Sequence, residues 1–137
     1  MRAGPILRVV PVRQLRLVVT ATDYDEAVHF YRDVLGLVER DAVQSPNGRV
    51  MILDAGQTTL EIAEPSTAEY IDQVEVGRRV AGHIRVAFEV TDAATVTAAL
   101  ADAGAEVLAE PRPTPFRSTN ARLNGPAGLQ LTLFQMD

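Results

Sequence analysis

Arg16, Glu61, Arg85, Glu89 and Thr132 are the residues whose types and placement could do chemistry. Each falls on the mixed face of a predicted strand, because side chains along a strand alternate between two faces. In the first strand Leu15, Leu17 and Val19 share one face, and Arg16, Val18 and Thr20 share the other. Val86, Phe88 and Val90 likewise oppose His83, Arg85, Ala87 and Glu89. Leu60 and Ile62 oppose Thr59, Glu61 and Ala63, while Leu131 and Leu133 oppose Gln130, Thr132 and Phe134. Arginine forks on such a face can bind a carboxylate, a phosphate or a polarised oxygen. The same guanidinium groups could instead pair with Glu61 or Glu89, since buried charge needs a partner whatever the function. A solvent-facing sheet would alternate in the same way. Against that, Val18, Ala63, Ala87 and Phe134 lie among the charges, which suits a partly enclosed cup.

Two helices must hold these strands. In the stretch 22–37, TDYDEAVHFYRDVLGL, Asp23 caps a helix over 23–35 and Glu26 completes a capping box. Ala27, Tyr31 and Val34 lie at helical spacing on one face, and Gly36 ends the run. The pattern returns 69 residues on (92 − 23): Val96 matches Ala27, Leu100 matches Tyr31, Ala103 matches Val34, and Gly104 again terminates. RLVVTA before Asp23 matches RVAFEV before Asp92. A strand, cap, apolar stripe and glycine that recur together indicate an internal duplication.

Each copy reads βαβββ. The first has strands over 14–21, 37–43, 49–54 and 58–63, with Ser45-Pro46-Asn47-Gly48 as a turn. The second has strands over 83–91, 105–109, 117–123 and 129–135 and a helix over 92–103. Pro111, Pro113 and Pro115 are expected to interrupt regular structure. The expectation is therefore an α+β fold of modules 14–66 and 82–136 in one domain. Residues 67–81 form a linker without a clean period that has room for a short helix. Residues 1–13 form a tail, with a short edge strand around 6–10.

The composition narrows the function classes. Net charge is −5, which gives no surface for nucleic acid or an anionic membrane, and no apolar run is long enough to span a bilayer. With no cysteine, disulfides, thiol catalysis and cysteine metal sites are excluded. All 13 basic residues are arginine, a coding bias consistent with a GC-rich genome, and the default expectation is a bacterial cytosolic protein. No Ser-His-Asp set, phosphate loop or metal-binding helix motif is visible. His83 would reach a metal site beside Glu61 only if its strand slipped by two residues. His29 is expected on the exposed side of its helix. Phe116, Phe134 and Met51 could line an aromatic-friendly pocket or simply pack.

TDYDEAVHFYRDVLGL, RVAFEVTD and GPAGLQLTLFQ together resemble the glyoxalase/bleomycin-resistance/extradiol-dioxygenase superfamily, also called vicinal oxygen chelate proteins, over about residues 14–135. The resemblance implies paired βαβββ modules curling around a cavity, assembly as a homodimer, and in metal-using members a divalent ion held by His, Glu or Gln. Carried onto this chain, the ion-holding positions fall on Arg16, Glu61, Arg85 and Thr132. Only Glu61 is an ordinary metal ligand, because arginine stays protonated and offers no lone pair. The expected function is thus metal-independent binding of a small organic molecule, anionic or antibiotic-like, by Arg16, Glu61, Arg85, Glu89, Thr132 and Phe134, with no cofactor. The alternatives are a metal-dependent lyase, isomerase or dioxygenase, and a structural dimer with a vestigial cavity.

Overall fold

The structure is a computed structural model and describes residues 12–137. The expected edge strand around 6–10 lies outside the described residues. The elements are β1 Val12–Thr20, α1 Tyr24–Val28 running into a π turn at His29–Val34, β2 Val38–Ser45, β3 Gly48–Ala55 and β4 Thr58–Ala63. They continue with α2 Pro65–Glu75, β5 Ile84–Val90, α3 Ala93–Asp102, β6 Glu106–Thr114, β7 Ser118–Asn124, a short 3-10 turn at Pro126–Gly128, and β8 Gln130–Met136.

The strands form one curled, unclosed sheet in the order β2-β3-β4-β1-β5-β8-β7-β6. The duplication is built into its centre. β1 and β5 pair antiparallel, and Leu17 faces Val86, 69 residues away (86 − 17). An antiparallel pair whose offset equals the repeat length puts a pseudo-twofold axis between those two residues. Each module then adds a parallel neighbour, β4 beside β1 and β8 beside β5.

The helix starts follow the caps. The Asp23 carboxylate accepts the Glu26 amide at 3.0 Å, and Asp92 accepts the Thr95 amide at 3.1 Å. The first helix departs from expectation after Val28. Leu35 N–H donates to Phe30 O at 2.9 Å, a five-residue spacing that widens the turn. One extra residue rotates the stripe, so Ala27 and Tyr31 remain packed while Val34 turns out, 64% exposed. Tyr24 and Val28 carry the packing instead, on Met51, Leu53 and Ile62. Met51 therefore belongs to the core and not to a pocket. α3 covers an equivalent core of Val90, Val96, Ala121, Leu123 and Leu133, with Phe88 and Leu100 at its margin. Leu100→Ala is expected to cost about 2 kcal/mol. The exposed His29→Ala should stay within about 0.5 kcal/mol. Equal effects in chemical denaturation would contradict this placement.

One further expectation is corrected. β6 does not stop before the prolines but runs through Pro111 and Pro113 to Thr114. It lies at the end of the strand order and its register shifts twice, at Val107/Ala109 and Ala109/Arg112, so the missing amides fall where no ladder bond is needed. The linker contains a helix of 11 residues, α2, which starts on Pro65 and packs against β3 of one module and β6 and β7 of the other. α2 therefore crosses the open side of the curl. Gly48, at φ +120°, admits this crossing, because a Cβ there would collide with the Thr67 hydroxyl.

Candidate functional site

The concave face of the sheet and α2 enclose a cavity of about 240 Å³. The strand register explains which side chains reach it. Val18 is paired with Glu61 on one side and Arg85 on the other. By the pseudo-twofold, Ala87 is paired with Arg16 and with Thr132. Small residues on the axis thus leave a hollow, and the four flanking positions point charged or polar groups into it. Val18, Ala87 and Phe134 pack together as its floor.

Arg16, Glu61, Arg85, Thr132 and Phe134, expected from strand parity, all line the cavity. Glu89 does not. It has the right parity but lies one pleat further, opposite Gln14 and Phe134, beside Gln135 at the end of the strand. Parity fixes the face of a strand and not the depth along it. Phe116 also lines the cavity, His83 is exposed and stays outside, and no cluster of three metal-binding side chains occurs among the described residues.

The two arginines are held differently. Arg16 lies over the Phe134 ring, 4.7 Å from its centroid, and its Nε donates to Gln14 Oε1 at 2.8 Å. Its Nη1 reaches Glu61 only at 4.0 Å. Arg85 is buried and donates from Nη1 to Thr132 Oγ1 at 2.9 Å, the one protein acceptor on its guanidinium among the described residues. Burial pushes the Arg85 guanidinium below its ordinary value, offset by the nearby Glu75 carboxylate; it remains a cation. Glu61, 9% exposed, accepts no hydrogen bond from any described residue. Burial raises its carboxyl above the ordinary 4.5, against the opposing pull of Arg85 and Arg16, and Glu75 pushes it the same way.

A second network of buried charges backs the first, and apart from Thr132 its members were not foreseen from sequence. Thr132 Oγ1 passes the contact on to Glu75 Oε1 at 3.3 Å. Glu75 Oε1 also accepts Arg122 Nη2 at 2.8 Å, and Glu75 Oε2 accepts Asn120 Nδ2 at 2.7 Å. Arg122 Nη1 donates to Asp72 Oδ1 at 2.8 Å. Burial alone would raise the Asp72 carboxyl, but the Ala81 and Val80 amides, with Arg122 and Arg79, outweigh it and hold it below its usual range. α2 is thereby fastened to β7 and β8, and Glu75 and Asn120 become part of the cavity wall. The i, i+3 spacing of Asp72 and Glu75, on one helical face, with the alternation of Asn120 and Arg122 in β7, was the sequence signal for it.

The four positions do not fit a divalent ion. Two are cations, Thr132 is engaged by Arg85, and Glu61 alone has free lone pairs. The raised Glu61 carboxyl has a thermodynamic consequence. A folded value above the unfolded one means that deprotonation disfavours the folded state as pH rises through that interval. Glu61→Gln should therefore gain stability over the native chain with rising pH, the gain vanishing near pH 4.5. Melting curves from pH 4.5 to 8.5 check it; a gain that shrinks with rising pH would be the wrong sign.

A curled sheet of two βαβββ modules with polar groups at four symmetry-related positions defines the vicinal oxygen chelate architecture. The chain belongs to the Glyoxalase/Bleomycin resistance protein/Dioxygenase superfamily, whose pattern matches residues 13–133. Among solved structures it is similar to a hypothetical protein of Bacillus halodurans, at 16% identity, TM-score 0.68 and coverage of 91% of this chain and 94% of that one. It is similar to methylmalonyl-CoA epimerase from Mycobacterium tuberculosis, at 17% identity, TM-score 0.68, with 96% and 93% covered. A methylmalonyl-CoA epimerase in complex with methylmalonyl-CoA and ammonium matches at 24% identity, TM-score 0.64, with 92% and 95% covered. These likenesses show the fold. No curated protein matches the sequence.

Proposed function

We propose that the protein binds a small organic acid, or a molecule with a strongly electronegative oxygen, in the concave cavity without a divalent ion. The observation that carries this is the incomplete pairing of buried charge. Arg85 is 7% exposed and has one neutral hydroxyl as its partner, while Glu61 faces the same hollow unbonded. A vestigial cavity would close such groups on each other, because unpaired buried charge is costly. Here the Arg16–Glu61 approach stops at 4.0 Å. An anionic oxygen between the forks supplies the missing partner, and Phe134, Phe116 and Tyr70 offer apolar wall to the rest of the molecule. Sequestration of an antibiotic-like compound is one use of such a site. Metal-dependent epimerase or lyase chemistry is disfavoured by the donor set described above.

A thermal-stabilisation screen over small organic acids tests this. An acid held at about 100 times its Kd should stabilise the native chain by about 2.7 kcal/mol, and a chelator should leave Tm unchanged. Stabilisation by divalent metal and by no acid would refute it.

The protein is also proposed to pair as a symmetric dimer. Phe30, Val34, Leu35 and Val38 are each more than half exposed at the end of α1 and the start of β2, an apolar group that a second chain can cover. Light scattering at micromolar concentration should give twice the chain mass, and Leu35→Glu should halve it. A native monomer would rule out this pairing.

A further inference from the structure

The cavity wall carries hydrogen-bond acceptors as well as arginine donors, and the acceptors are as incompletely used as the donors. Asn120 is buried, and its Nδ2 donates to Glu75 Oε2 at 2.7 Å. A carboxylate can only accept, so that bond fixes the amide orientation and turns Oδ1 away from Glu75. Asn120 Oδ1 is buried and has no partner. Glu61, on β4 of the first module, is an unbonded acceptor that opens on the cavity, whereas Asn120 is on β7 of the second. The two flank the β1–β5 seam that presents Arg16 and Arg85.

From this we propose that the cavity is built for an acid carrying its own hydrogen-bond donor, a hydroxy- or amino-substituted ring acid, and not for a bare anion. This rests on the anion-binding reading above and specifies its ligand. The acid oxygens lie on Arg85 and Arg16. The hydroxyl or amino group donates to Glu61. A ring fits the remainder. Phe134 already stacks under Arg16, Tyr70 and Phe116 meet edge to face at 6.0 Å in the wall, and the 240 Å³ volume matches a single substituted ring. A bare anion would satisfy the arginines and leave the Glu61 carboxylate desolvated beside it, which is the arrangement that rejects analogues lacking a donor.

The test measures binding by calorimetry at pH 7 for benzoate, phenol, and the three hydroxybenzoates and three aminobenzoates. The best substituted acid should bind at least about tenfold tighter than benzoate. In Glu61→Leu that preference should fall to within about threefold. If Glu61→Leu does not fold, Glu61→Gln, which converts one acceptor oxygen into a donor, should show the same loss for the aminobenzoates. Benzoate binding as tightly as every substituted acid would overturn the inference, with water then satisfying the acceptors, and would leave the anion reading standing. A preference untouched by Glu61→Leu would overturn it as well. Phenol binding as tightly as the best acid would overturn the anion reading instead, and no binding by any probe at millimolar concentration would overturn both.

Discussion

Arg122→Met is expected to destabilise the protein by about 3–5 kcal/mol, among the largest effects of any single substitution. Arg122 is fully buried on β7 and joins the two buried acids of α2, Asp72 Oδ1 and Glu75 Oε1, each at 2.8 Å. Its Nη1 also donates to Gln130 Oε1 at 2.8 Å. Removing the guanidinium leaves two carboxylates buried within one helical turn and unties α2 from the sheet. The comparison residue is Arg79, which bonds the other oxygen of Asp72 at 2.8 Å but is 44% exposed. Water replaces much of what Arg79 supplies, so Arg79→Ala should cost no more than about 1 kcal/mol. Urea denaturation of both variants checks the pair. Similar midpoints would mean that burial does not set the strength of this network.

Arg85→Ala should weaken binding of any acid held in the cavity by about 1.5–3 kcal/mol, a factor of roughly 10 to 150. Arg85 sits beside Val18 at the centre of the sheet and is locked by Thr132, which is itself held by Glu75. It meets a ligand already oriented, so little side-chain freedom is lost on binding. Its removal should disturb stability less than removal of Arg122, because its own pairing in the free protein is incomplete. Glu75→Gln should loosen binding through the same chain while touching no ligand charge directly, and the salt dependence of affinity separates the two: it falls in Arg85→Ala and persists in Glu75→Gln.

The duplication was legible because it is written in apolar spacing and caps. Asp23 and Asp92 cap as expected, and the 69-residue offset reappears as the Leu17–Val86 pair on the axis. Strand parity found five cavity residues for the same reason. α2 was legible only as room for a short helix, because the periodicity that reveals a helix assumes that its buried face is apolar. This helix buries Thr67, Asp72 and Glu75, and their partners Asn120 and Arg122 lie 45 to 50 residues away. The π turn escaped because nothing in HFYRDV distinguishes a five-residue bond from a four-residue one. Glu89 was misplaced because alternation carries no measure of depth. β6 was cut short because its prolines were judged without knowing that the strand is an edge.

The proposed metal-independent binding rests on arginines standing where metal-binding side chains would otherwise be. Calorimetric titration of the purified protein with zinc, manganese, cobalt and nickel tests it. The prediction is no stoichiometric uptake and a melting temperature unchanged by any of the four, because Arg16 and Arg85 place two cations beside Glu61. Uptake of one ion per chain by the native protein, abolished in Glu61→Ala, would contradict the account and restore a metal-dependent enzyme.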